Sequence, residues 1–258
     1  YERTITTVLN AYVSPKISNY IRNLQEGLSE LSIDASLSIM KSNGGMVGFD
    51  VAAEQPVQTA LSGPAAGVMA SVQITKNMGI KDSISFDMGG TSTDVSLIQN
   101  QNPTTHLFGK LGDWPIQLPM LDIATIGCGG GSIAEVSQFD SLTVGPKSAG
   151  AVPGPVCYEK GGIHPTVTDA NLVLGRINSS IAGDALKLNN SASIESIRQK
   201  IAEPLGIDIY SAANGILRIA NNNMVGAIRN ISVERGYDPK GFSLIAYGGA
   251  GPMHGIDV

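Results

Sequence analysis

The stretch that most constrains the fold is residues 83–98, SISFDMGGTSTDVSLI. Ser83 to Phe86 reads as a strand, Asp87 to Thr91 as a tight polar turn, and Thr93 to Ile98 as a second strand alternating small or polar residues with Val95 and Leu97. The turn carries adjacent glycines, three hydroxyls (Thr91, Ser92, Thr93) and two carboxylates, Asp87 and Asp94. Glycine lets backbone N–H groups approach an anion with no Cβ in the way. Hydroxyls add donors for phosphate oxygens, and carboxylates can hold a hydrated Mg²⁺ through water. A plain Gly-Gly hairpin with a polar tip accounts for the dipeptide alone. The whole string D-x-G-G-T-S-T-D after an apolar strand is more specific, and it predicts a phosphate-binding hairpin.

The rest of the composition narrows the partners. With 258 residues, 42% hydrophobic and 15% charged, the chain can bury one large or two modest cores. Glycine is the outlier at 31 residues, against a usual share of about 7%. It clusters in turns, which suggests loops shaped around a ligand. A net charge of -5 and few aromatics argue against nucleic acid. Cys128 and Cys157 form no C-x-x-C pair, which argues against a disulfide scaffold or structural zinc and for a reducing, cytoplasmic setting. No apolar run approaches membrane-spanning length and no signal peptide opens the chain, so no membrane is expected. The chain opens inside a helix-like pattern and stops shortly after a tight turn, which suggests a piece of a larger protein.

In chain order, residues 4–30 carry Ile5, Val8, Leu9, Tyr12, Ile17, Ile21, Leu24 and Leu28 at helical spacing. Pro15 interrupts them, predicting two helices or one with a break. Leu37 to Met40 reads as a short strand entering the polar turn Lys41 to Gly45, where Ser42, Asn43 or a backbone amide could touch substrate or phosphate. Thr59 or Ser62 can start a helix through residue 77, with Pro64 in its first turn; its small residues allow close packing or a ligand at its N-terminus. Residues 120–136 predict an apolar strand, the turn Gly127-Cys128-Gly129-Gly130-Gly131-Ser132, then a strand or helix. This is neither G-x-G-x-x-G nor a P-loop, but it could form an anion nest. Cys128 reads as a small buried residue.

Residues 143–170 are rich in Gly and Pro. Cys157, His164 and Asp169 within them could cluster as a metal or catalytic group, although the spacing fits no standard zinc pattern. The simpler reading is a packed surface loop. Helices are predicted near 172–174, over 194–201 and from about Ala212 to Glu234. On the last, Asn221 to Asn223 lie on an exposed or ligand side, and Arg229 and Arg235 are solvated. Phe242 to Tyr247 reads as a strand ending in Gly248-Gly249-Ala250-Gly251-Pro252, before a helix at Met253. That turn could support a flat ring or a ribose. His254 is expected to start the helix rather than act as a base.

A strand–DxGGTxxD–strand hairpin with a later strand–GGAGP–helix resembles the actin-like ATPase superfamily. More closely, SNGG at 42–45, LSGPAAGV at 61–68, FDMGGTSTDVSLI at 86–98, MLDI with GCGGGSIA at 120–134, VGPKSAG with PGPVCY at 144–158, PTVTDANLVLGR at 165–176 and SVERGYDP with YGGAGPMHG at 232–255 resemble the hydantoinase A / 5-oxoprolinase family. The resemblance implies an α/β, ribonuclease H-like fold with a mixed sheet flanked by helices. It places the tail of a first such domain at 1–60 and a second, nucleotide-binding domain at 61–258, without the family's N-terminal phosphate hairpin. Many relatives carry alanine where Cys128 stands.

The resemblance also implies ATP-dependent opening of hydantoin, N-methylhydantoin or 5-oxoproline rings. The carbonyl oxygen is phosphorylated, turning a resonance-stabilised amide into an activated imidate. Asp87 and Asp94 are then the catalytic and Mg²⁺-holding carboxylates. Gly89, Gly90, Thr91, Ser92 and Thr93 take the phosphates, while Gly248, Gly249 and Gly251 support the adenosine. A separate or fused B-type partner is implied. The alternatives are the ATP-using subunit of a ketone carboxylase, a sugar or acetate-type kinase on the same scaffold, or a non-catalytic nucleotide-binding assembly module. Because a nucleotide in such a fold lies between two closing domains, this piece alone is expected to be nearly inactive.

Overall fold

The computed structural model describes residues 1–181 and 186–258, and the chain divides into two compact units. The first comprises Tyr1–Ser83 and Ser96–Ile123; the second comprises Ile84–Val95 and Ala124–Val258.

The first unit opens with one continuous helix, Glu2–Glu30, that runs through Pro15. The expected interruption does not occur. Proline's fixed φ is compatible with a helix, and its missing N–H removes a single bond. The apolar stripe continues past it, with Ile17, Ile21 and Leu24 packing on Phe49 and Ala52. The expected short strand is Ser38–Met40, and it pairs antiparallel with Met46–Gly48, a strand not predicted, around the Lys41–Gly45 turn. Ser42 is buried and donates its hydroxyl to the Gln58 carbonyl at 2.8 Å, so it pins the turn to the segment before the next helix. That helix, Ser62–Asn77, begins at one of the two anticipated positions. Its Ala65 and Val68 pack on Leu121.

The main sheet, most of which belongs to the second unit, has its strands hydrogen-bonded in the order Ala124–Ile126, Thr93–Gln99, Ser83–Met88, Ser243–Tyr247. The first pair is antiparallel, with Thr125 opposite Asp94. Phe86, Met88 and Val95 are fully buried, as expected of central strands covered on both faces. After the tri-glycine turn the chain forms a strand, Ser132–Val136, paired antiparallel with Leu142–Ser148.

The expected helices are present with shifted ends. The one predicted from about Ala212 spans Ile209–Ile231, because Asp208 caps it by accepting from the N–H groups of Tyr210 at 2.9 Å and Ser211 at 3.0 Å. Ile216, Leu217, Met224 and Ile231 form its buried stripe. The last helix is a single turn, Gly251–His254. Among the described residues no helix is long and apolar enough to cross a membrane.

The Gly- and Pro-rich segment is ordered around a buried carboxylate. Asp169 accepts from Val156 N at 3.2 Å, Cys157 N at 2.8 Å, Thr166 N at 2.9 Å and the Ser193 hydroxyl at 2.6 Å. With Thr166 it also forms a capping box that starts the helix Val167–Val173. Cys157 and Asp169 thus meet as parts of a packing centre. His164 lines a separate loop cavity with Val152 and Pro153, and no metal-binding trio of His, Cys, Asp or Glu occurs among the described residues.

His254 is fully buried. Its Nδ1 lies 2.6 Å from Asn221 Oδ1 and its Nε2 lies 3.1 Å from Asn171 Nδ2. An imidazole protonated only at Nδ1 satisfies both bonds, because Nε2 then accepts from the Asn171 amide. Asn221 therefore belongs to the core, while Asn222 and Asn223 are exposed. Burial, and then the Arg176 charge, lower the His254 pKa to about 4. A folded pKa below the unfolded value makes the unfolded state the stronger proton binder between these values. Stability is then full above about pH 6.5 and falls by about 3 kcal/mol as pH drops to 4. Urea midpoints of the protein and of His254→Gln should therefore differ most at pH 7 and draw together by pH 4.5. A gap that does not change with pH would show that His254 is not held neutral in the fold.

Candidate functional site

The hairpin turn spans Gly89–Ser92, and Asp87 lies within the first strand, which runs to Met88, two residues past its predicted end at Phe86. Gly89 N–H closes the turn on Ser92 O at 3.0 Å. The amides of Gly90, Thr91 and Ser92 donate to no other group among the described residues. Gly90 and Thr91 are exposed and Ser92 is half-buried. Three uncommitted N–H groups in succession at an exposed bend form a donor set suited to an anion.

What holds the bend is the tri-glycine turn behind it. Gly130 N–H donates to Gly89 O at 3.0 Å and Gly131 N–H to Gly90 O at 2.6 Å. Gly129 N–H goes to the Ser132 hydroxyl at 2.8 Å, and Cys128 N–H to Ile126 O at 2.8 Å. The amides from Cys128 to Ser132 are thus committed within the protein, Ser132 N–H to Gly129 O at 3.0 Å, so this turn buttresses the hairpin. Close packing explains its glycines: a Cβ on Gly129 would lie 2.7 Å from Thr91 backbone atoms. Thr93 is buried and donates its hydroxyl to Cys128 O at 2.6 Å, tying the second strand to the same turn. Thr168 completes the buttress by donating both its amide and its hydroxyl to Gly130 O, each at 2.8 Å.

The later glycine turn meets the hairpin from its other neighbouring strand. Ala250 N–H donates to Met88 O at 2.9 Å. Gly248 has φ +82°, and a Cβ there would fall 2.3 Å from Asp87 Oδ1. A Cβ on Gly249 would meet nothing within 4 Å, so this turn is open on one side and pressed against Asp87 on the other. Asp87, Asp94 and both glycine turns predicted from the sequence therefore lie together.

The electrostatics set the two acids apart. Burial, and secondarily the Asp94 charge, raise the Asp87 pKa above the ordinary carboxylate value. Asp94 accepts a hydrogen bond from the Thr125 hydroxyl on the adjacent strand. Thr125 was not singled out in the sequence; only the antiparallel register that sets it opposite Asp94 reveals it. Two carboxylates beside uncommitted amides on an open bend fit a hydrated divalent cation with phosphate oxygens. Cys128 is buried, its Sγ 3.6 Å from Ala220 O, and burial raises its pKa to about 11. The thiol is therefore inert at neutral pH.

The second unit belongs to the mixed α/β class, and that architecture recurs in solved structures of related sequence. The chain belongs to the hydantoinase/oxoprolinase family, whose sequence model it matches over residues 3–258. It is 46% identical to the caprolactamase alpha subunit of Pseudomonas jessenii, over 98% of this chain and 37% of that one. The crystal structure of that ATP-dependent caprolactamase superposes with a TM-score of 0.83, covering 100% of this chain. The acetophenone carboxylase gamma subunit of Aromatoleum aromaticum is 40% identical over 98% of this chain and 35% of its own length. A nucleotide-free acetone carboxylase structure, 30% identical, also gives a TM-score of 0.83 over 91% of this chain and 33% of that one. The chain thus spans about a third of the length of these relatives.

The packing of Gly248 against Asp87 yields a paired test. Gly248→Ala should lower unfolding stability by about 1–3 kcal/mol, through overlap and backbone strain. Gly249→Ala, facing open space, should lie within about 0.5 kcal/mol of wild type. Equal urea midpoints for the two variants would contradict the contact.

Proposed function

We propose that this chain is the nucleotide-binding part of an ATP-dependent hydrolase that opens cyclic amides by phosphorylating the substrate carbonyl. The observation that carries this reading is the row of uncommitted amides at Gly90, Thr91 and Ser92, set between Asp87 and Asp94 and buttressed from behind. Phosphoryl transfer needs mainly positioning and neutralisation of charge on the transferred group, and a rigid bend of N–H donors supplies both. Gly89, Gly90, Thr91, Ser92 and Thr93 form the phosphate loop, with direct donation from the three amides and the Thr91 and Ser92 hydroxyls. Thr93 anchors the loop from beneath.

Asp87 and Asp94 would hold Mg²⁺ through its waters, and the ion would supply charge neutralisation at the phosphates. Gly248, Gly249 and Gly251 carry the adenosine, where Gly249 leaves room for a ring or ribose. The fold is of the ribonuclease H-like, actin-like ATPase type, with residues 1–60 from a first such domain and 61–258 from a second. The setting is cytoplasmic, and a B-type subunit or domain completes the enzyme. The similarity to a caprolactamase alpha subunit supports both the cyclic amide and the partner.

A second reading, the ATP-using subunit of a ketone carboxylase, is favoured by the similarity to acetophenone and acetone carboxylase subunits. A carbonyl oxygen is the phosphoryl acceptor in both readings. Hydrolysis of ATP stimulated by lactams or hydantoins, measured against ketones with bicarbonate, separates them. In the full-length protein with its partner, Asp87→Ala and Asp94→Ala should each lower substrate-stimulated ATP hydrolysis at least about a hundredfold. Wild-type turnover in both variants would refute the proposal.

A further inference from the structure

The Gly- and Pro-rich segment of the second unit encloses space that the phosphate hairpin does not use. Its loop from Ser148 to Gly154 walls a cavity of about 410 Å³ together with Ile133, Ile163 and His164. That volume lies in the usual range for a small-molecule site. At about 30 Å³ per water-sized group, a ring of about eight heavy atoms needs roughly 240 Å³, so the cavity has room for one.

The cavity borders the bend within the same unit. Gly131 N–H donates to Gly90 O at 2.6 Å, and Gly131 O accepts from Ala149 N–H at 2.8 Å. A Cβ on Gly131 would lie 3.0 Å from Gly90 O and also 3.0 Å from Ser148 Oγ. Two atoms each 3.0 Å from one point can be no more than 6.0 Å apart, so the Ser148 hydroxyl stands within a small ring's length of Gly90. The walls divide by polarity. Ile133, Val152, Pro153 and Ile163 are apolar, while Ser148 and His164 carry the polar side chains. Ser148 Oγ accepts from Gly150 N–H at 3.1 Å, and its own proton goes to no group among the described residues. A hydroxyl has two lone pairs and one proton, so one acceptor site and one donor remain for a ligand.

We infer that this cavity receives the cyclic amide, with Ser148 accepting the ring N–H and the hydrocarbon of the ring lying on the apolar wall. The inference rests on the cyclic-amide reading above and adds the place and the orientation. An amide is planar, and a small ring holds it cis, so its N–H and C=O leave the same edge. A hydrogen bond from the N–H to Ser148 therefore turns the carbonyl oxygen to the side of the cavity nearest the bend, where a phosphate held by the free amides would meet it. A ketone has no N–H to give, so this contact selects amides.

The test uses the full-length protein with its partner subunit. Val152 and Ile163 are 78% and 66% exposed at the rim, so both can be enlarged without disturbing a core. Val152→Trp combined with Ile163→Trp should close the mouth, raise KM for a seven-membered lactam or a hydantoin at least tenfold, and keep KM for ATP within twofold. Ser148→Ala should raise the lactam KM about 2–10-fold, the worth of one hydrogen bond. Binding is read separately in Val152→Cys, whose exposed thiol iodoacetamide can reach while Cys128 and Cys157 are buried. With a non-hydrolysable ATP analogue present, the lactam or hydantoin should slow its alkylation at least fivefold, followed by peptide mass. If the wild type shows no amide-stimulated ATP hydrolysis, the cyclic-amide reading fails, and alkylation still decides the site: protection by the amides supports it and no protection overturns it. If the wild type is stimulated, that reading stands, and an unchanged lactam KM in the double variant or in Ser148→Ala, or no protection of Val152→Cys, would overturn the inference.

Discussion

The candidate site depends on where a few backbone N–H groups are directed. Gly130 and Gly131 donate to the carbonyls of Gly89 and Gly90, so the bend is held by its oxygens and the amides of Gly90, Thr91 and Ser92 stay uncommitted. Had the bend been held through its amides, nothing would remain to offer an anion. The geometry needs two backbones in near contact, and only glycine at 129 permits it, since a Cβ there would lie 2.7 Å from Thr91. Two glycine clusters nearly forty residues apart are thereby parts of one construction. The first presents donors and the second supports them.

The support extends outward to the buried Asp169. Its carboxylate gathers amides from the loop at Val156 and Cys157 and fixes the start of the helix Val167–Val173. Thr168, the residue before it, donates twice to Gly130. A satisfied buried carboxylate is costly to disturb, because each donor left unpaired costs about 1–3 kcal/mol. The Gly- and Pro-rich segment is therefore rigid where it touches the site, even though it contains little regular structure.

Much of this arrangement was legible in the sequence. The hairpin, the short strand before the Lys41–Gly45 turn, the helix from Ser62 and the final strand–glycine–helix turn all follow from periodicity and turn chemistry. What failed did so for local reasons. Pro15 leaves its helix whole because its fixed φ fits a helix and the apolar stripe beyond it packs on Phe49 and Ala52. The tri-glycine turn has the composition of an anion nest, but a nest requires unpaired amides and pairing is a tertiary property. Cys157, His164 and Asp169 are close in the chain, yet only two of them share a packing centre. Asn221 looked solvent-facing within a run of three asparagines, but His254 supplies it with a partner in the core.

The sequence by itself determined that two acids and a glycine bend would sit at the end of a hairpin, because the turn residues and flanking strands specify one another over a dozen positions. It also determined family membership, since motifs distributed along nearly the whole chain cannot recur together by composition alone. Only the tertiary structure decided which glycines donate outward and which brace, that Thr125 holds Asp94, and that Ser148 stands near Gly90. Those outcomes depend on strand register and on backbone approach between distant segments, where a shift of one residue would move every side chain to the other face.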